Sequence, residues 1–145
     1  MSPLVRCYIK TSFVFLAAGL VVGLYVIIAQ FVFDTYPSRL LVTTHTHLLL
    51  VGFMLMMVMG VATWMFPRPA REDTRYRPEL AEVVYWVMTL ATALRAGAEM
   101  AVALAGTVGA RSLIALGGLG QFVGAGLFVL NMWSRVRMPP SATPR

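Results

Sequence analysis

TTHTHLLLVGFMLMMVMGVATWMFP, Thr43–Pro67, is apolar for its whole length except at its first turn. That turn holds His45 and His47, the only two histidines in the chain. A segment this long and this apolar reads as a transmembrane helix. Ionisable groups inside such a helix are costly and mark functional positions. Imidazole is a ligand for iron and copper, so the pair points to a metal or a haem.

Three more long apolar runs lie on either side: Thr11–Phe33, Val83–Ala105 and Leu113–Trp133. The 145 residues are 59% hydrophobic with a mean hydropathy of +0.76, well above the balance of a soluble domain. The expected fold class is therefore all-α, an integral membrane four-helix bundle forming one domain over 1–145. Its helices are expected at 11–33, 41–66, 79–106 and 111–134. The first run is too long for a cleavable signal peptide, and no small-residue cleavage site follows it. The single cysteine, Cys7, excludes an internal disulfide and a cysteine-based metal cluster.

Charge sets the expected topology. Arg6, Lys10, Arg68, Arg71, Arg75, Arg77, Arg135, Arg137 and Arg145 fall before helix 1, between helices 2 and 3, or after helix 4. Only Arg39 and Arg111 lie in the other two connections. The positive-inside rule then puts both termini and the 68–79 loop in the cytoplasm. A bacterial or archaeal inner (cytoplasmic) membrane is the expected location. The net charge of +6 does not suggest nucleic acid, because the basic residues flank membrane spans. The 68–79 loop reads as a solvated segment that anchors on lipid headgroups. The tail 139–145 reads as disordered.

Along the chain, Gly19 and Gly23 form a small-xxx-small pair that lets another helix approach. In LRAGAEMA, Arg95 and Glu99 are four apart, so they share a helix face and can pair. With ~1.5 Å of rise per residue, Glu99 and His47 each fall roughly 10 Å below the outer boundary. Four ionisable residues from two helices are thus expected in one layer of the membrane. The bland alternative is a structural ion pair, with histidines satisfied by Thr43, Thr44 or backbone carbonyls. The glycine-rich fourth helix (Gly117, Gly118, Gly120, Gly124, Gly126) offers a face for another helix or a planar ligand. Gln121 and Asn131 are candidate interhelical hydrogen-bond partners.

His45 and His47 are two residues apart and diverge by about 200° around a helix. They cannot ligate both faces of one haem, so each has its own role as a cofactor or metal ligand. Haem propionates need cations, and Arg95 and Arg39 are the candidates. Methionines of the run Met54–Met59, Met56 among them, could flank a porphyrin or supply a thioether ligand, although such stripes are usually core filler. No C-x-x-C-H is present, so a haem would be b type, iron protoporphyrin IX.

HTHLLLV with Gly60 and Pro67 resembles helix II of the haem–copper oxidase superfamily, especially the large subunit of nitric oxide reductases. There an H-T-N-L-L-I-V motif opens the helix, and its histidine ligates the low-spin haem. The resemblance implies His45 as the ligand, with His47 standing where the reductases carry asparagine. The oxidases' simpler H-G-L-L form leaves His47 open. The resemblance covers one helix of a family with about twelve. The later histidines of that family have no counterpart here, so a complete oxygen- or nitric-oxide-reducing centre is not expected. What remains is a short, one-haem relative in electron transfer or diatomic gas binding. It would sit in the lipid bilayer as a homo-oligomer, a dimer first. The alternatives are an accessory subunit of a respiratory complex, or a non-haem metal or quinone site built from His45, His47 and Glu99.

Overall fold

The computed structural model describes residues 2–66, 78–133 and 135–136. Most of the 68–79 loop, with Arg68, Arg71, Arg75 and Arg77, lies outside the described residues, as do Pro67 and the tail 139–145. Four helices are long and apolar enough to cross a membrane. They are α1 (Pro3–Phe31), α2 (Arg39–Met65), α3 (Pro78–Ala105) and α4 (Arg111–Trp133). A short 3₁₀ turn, Val108–Ala110, leads into α4. The described residues form an all-α membrane bundle.

Helix ends follow local chemistry. α1 starts at Pro3, ahead of the expected Thr11. Ser2 caps it by accepting from Val5 N at 3.4 Å, and Pro3 suits the first turn. The added turns are held by burial of Val5 and Tyr8. α3 ends at Gly106 in the left-handed region (φ 63°), and the chain leaving α1 turns through Asp34 (φ 48°), three residues past Phe31. Ser38 caps α2 by accepting from Leu40 N at 3.3 Å. We call the end of the bundle with the α1–α2 and α3–α4 connections the hairpin end.

The second span is not one uniform α-helix. Leu48–Leu55 is a π-helical segment between α-helical ends. Thr44, Leu48, Gly52, Met56 and Gly60 are all buried, and they are spaced by four. In an α-helix each step of four overshoots a full turn by about 40°, so four steps drift about 160°. The i→i+5 pattern holds more than four residues per turn and drifts the other way. The π segment therefore keeps this stripe on one side of α2.

Glycines on the stripe and on α1 let the first two helices close. A Cβ on Gly52 would lie 2.7 Å from Phe15, one on Gly60 2.8 Å from Tyr8 Cβ, and one on Gly19 2.8 Å from Leu49. α4 packs on α3 in the same way. A Cβ on Gly117 would meet Arg95 Cβ at 2.7 Å, and one on Gly124 would meet Met88 Sδ at 2.7 Å. These faces of α1 and α4 are filled within one protomer, by α2 and α3.

Tyr8, Phe15, Leu48, Met56, Met59, Val84, Tyr85 and Met88 make the core. Tyr8 and Tyr85 meet edge to face at 5.0 Å, and Thr11 Oγ1 lies 2.8 Å from Tyr85 Oη. Arg135, counted above among loop charges, is 2% exposed. It donates to the carbonyls of Thr63, at 3.1 Å, and Phe66, closing the C-terminal end of α2. Large apolar side chains such as Val21, Phe31 and Phe122 face outward, as lipid-facing helices require.

The glycine contacts predict opposite outcomes at two positions. Gly52→Ala should lower stability by about 1–3 kcal/mol, because its methyl enters Phe15. Gly126 has open space around it. Gly126→Ala should be neutral or stabilising by up to about 1 kcal/mol. Thermal unfolding in detergent, followed by circular dichroism, checks both.

Candidate functional site

The chemistry gathers at the hairpin end. His45 lies in the second turn of α2 and faces α1. Its ring packs where Gly23 has no side chain: a Cβ there would sit 2.5 Å from His45 Cε1. His45 Nδ1 is 2.8 Å from the carbonyl oxygen of Gly19. A carbonyl only accepts, so Nδ1 carries the proton and donates. In the neutral ring Nε2 is then a bare lone pair.

His45 also lines a groove of about 460 Å³ between α1 and α2. The other walls include Leu20, Leu24, Ile27 and Val42, each about half exposed on the bundle surface. The groove is apolar, opens toward lipid, and has His45 as its one polar side chain. Arg39 lies in the first turn of α2 and is exposed. It is three residues before Val42, so it shares the helix face of that groove wall.

His47 is half-buried, and its Nδ1 donates to Thr43 O of its own helix at 3.0 Å. It flanks the buried stripe on the side away from α1. Neither histidine reaches the Arg95–Glu99 pair. Glu99 is 0% exposed. Its Oε1 accepts from Arg95 Nε at 3.0 Å, and its Oε2 lies 3.0 Å from Thr44 Oγ1. Arg95 Nη1 donates to Gln121 Oε1 at 3.2 Å, and Gln121 Nε2 donates to Thr92 Oγ1 at 3.1 Å. One polar chain therefore links α2, α3 and α4.

This arrangement revises the sequence assignments residue by residue. Of the partners expected for the histidines (Thr43, Thr44 or backbone carbonyls), backbone carbonyls are the ones used, Gly19 O by His45 and Thr43 O by His47, and Thr44 serves Glu99. Arg95 is engaged by Glu99 and Gln121, and neither Arg95 nor Arg39 lines the His45 groove. Met56 is 0% exposed in the core and does not line the groove either. Among the described residues, no group of three or more His, Cys, Asp or Glu side chains is placed to hold a metal ion. His45, His47 and Glu99 do not converge. Gly19 was read only as a small residue, and its role as acceptor for His45 depends on the packing angle of α1. No protein-family model and no solved structure matches the chain.

The ion pair predicts non-additive mutants. Arg95→Leu leaves the Glu99 carboxylate with only Thr44, so it should cost about 3–5 kcal/mol. Arg95→Leu combined with Glu99→Leu should cost less than Arg95→Leu alone. A double-mutant cycle on unfolding in detergent measures the coupling.

Proposed function

We propose that the protein is a membrane b-type haem protein that holds the iron through His45 Nε2 in the α1–α2 groove. The observation that carries this is that His45 lines the apolar groove while its Nδ1 donates across to Gly19 O of α1. A ligating histidine typically donates its other N–H to a carbonyl or carboxylate, which orients the ring and raises its basicity. The groove walls suit a porphyrin, being apolar, and Gly23 leaves the room in which the His45 ring is seated. Arg39, exposed in the first turn of α2 three residues before the groove residue Val42, is the cation proposed for a propionate. The resemblance of HTHLLLV to helix II of the haem–copper oxidase and nitric oxide reductase family supports the same residue.

Bound haem would supply one-electron redox chemistry or a site for a diatomic gas, and the chain's part is to bind, orient and keep out water. One protomer offers one histidine to this groove. Any second histidine to the iron would come from a second copy, so a homo-oligomer, a dimer first, is part of the proposal. An open coordination position is the alternative within it. The loop charges support a bacterial or archaeal cytoplasmic membrane with both termini in the cytoplasm.

The second reading is a site for a lipid-soluble quinol. The bare Nε2 of His45 accepts from a quinol hydroxyl but cannot donate to a quinone carbonyl.

Purified protein from haem-replete cells should show a Soret band and a b-type pyridine haemochrome. His45→Ala should lose the haem, while His47→Ala should keep most of it. Gly23→Ala should also weaken haem, by displacing the His45 ring. A colourless, fully helical protein rejects the haem reading and leaves the quinol one. Loss of haem in His47→Ala alone moves the ligand to His47.

A further inference from the structure

Two directional bonds hold the first turns of α2, one on each flank. On one flank His45 Nδ1 donates to Gly19 O of α1 at 2.8 Å. On the other, Thr44 Oγ1 lies 3.0 Å from Glu99 Oε2 of α3. Thr44 and His45 are adjacent, so they point about 100° apart around the helix. Any rotation of α2 that breaks one bond also turns the other residue. Helices in lipid are not pressed together by the hydrophobic effect, so packing and interhelical hydrogen bonds set their orientation.

Glu99 is a firm anchor for this purpose. It is fully buried, its other oxygen is held by Arg95, and Arg95 is held in turn by Gln121 of α4. Thr44 is fully buried as well. Its one hydroxyl proton is shared between Glu99 and the Leu40 carbonyl 2.8 Å away, the usual partner of a helical threonine. Thr46 shows that ordinary case. It is exposed, and its hydroxyl donates to Val42 O at 2.9 Å. Thr44 differs from it by its second partner, on another helix.

We propose that Thr44 is a positioning residue for His45: its bond to Glu99 sets the rotation of α2 and thereby the direction in which His45 Nε2 enters the groove. The part of this that concerns haem rests on the reading of the groove as a haem site. The rotation itself does not.

The full chain in lipid nanodiscs, labelled with ¹⁵N-histidine, gives a readout for each part. Thr44→Val removes the hydroxyl at nearly constant volume. It should shift the His45 Nδ1 resonance in the haem-free protein. In the haem-loaded protein it should change the electron paramagnetic resonance g-values and weaken haem binding by about tenfold or more, as loss of a supporting partner does at metal sites. Thr44→Ser should restore all three, and Thr46→Val should leave them as in wild type. If Thr44→Val lowers helicity, Glu99→Gln carries the same readouts and should shift them in the same direction. Wild-type resonances and g-values in both Thr44→Val and Glu99→Gln overturn the proposal. A colourless wild type whose His45 resonance still moves in Thr44→Val rejects haem and keeps the positioning role.

Discussion

Glu99 has no exposure, and the hairpin end of the bundle is organised by the need to satisfy it. A buried charge that loses its partners costs several kcal/mol. Each carboxylate oxygen has its own: Arg95 for Oε1 and Thr44 for Oε2. Arg95 brings an N–H that needs an acceptor, which Gln121 supplies. Gln121 brings an amide N–H, which Thr92 accepts back on α3. Each step hands on one unsatisfied group until the chain closes. The result fixes α2 and α4 in depth and rotation against α3.

Close packing has to agree with that register, and the backbone of α2 yields to make it agree. Thr44 at the hairpin end and Gly60 near the other end must face the same neighbours. A regular α-helix of this spacing would carry Gly60 away from Tyr8 and Gly52 away from Phe15. The π segment absorbs the mismatch in the middle of the span. It lies where Gly52 lets Phe15 approach, so the wider turn is braced by a ring. Arg135 then closes the far end of α2 by meeting its last carbonyls.

The same rotation separates the two histidines. With Thr44 turned to Glu99, His45 is turned to α1, where Gly19 offers a carbonyl and Gly23 offers room. His47 falls on the other flank and bonds its own helix. Two identical side chains, two residues apart, thus acquire different surroundings. Only His45 combines a fixed proton on Nδ1, a bare Nε2 and an apolar groove.

Much of this was legible in the sequence, because much of it is local. Span length and hydropathy mark four membrane helices. The spacing of Arg95 and Glu99 makes them partners on one face. The place of His45 and His47 within α2 puts them near its beginning. All of these depend on residues within a few turns of one another. The remaining features depend on how each helix is rotated about its own axis, and that is decided by neighbours far away in the chain. Thr44 is one threonine among several near the start of α2 until α3 brings Glu99 to it. Gly19, Gly23, Gly117 and Gly124 announce close contact but not with whom, and the tertiary structure assigns them to helices of the same protomer. Arg135 counts as a loop charge until the end of α2 comes within its reach. The difference between His45 and His47 is of this second kind: spacing shows that the two diverge, and only the packing of α1 against α2 decides which one bonds across to another helix and lines a groove.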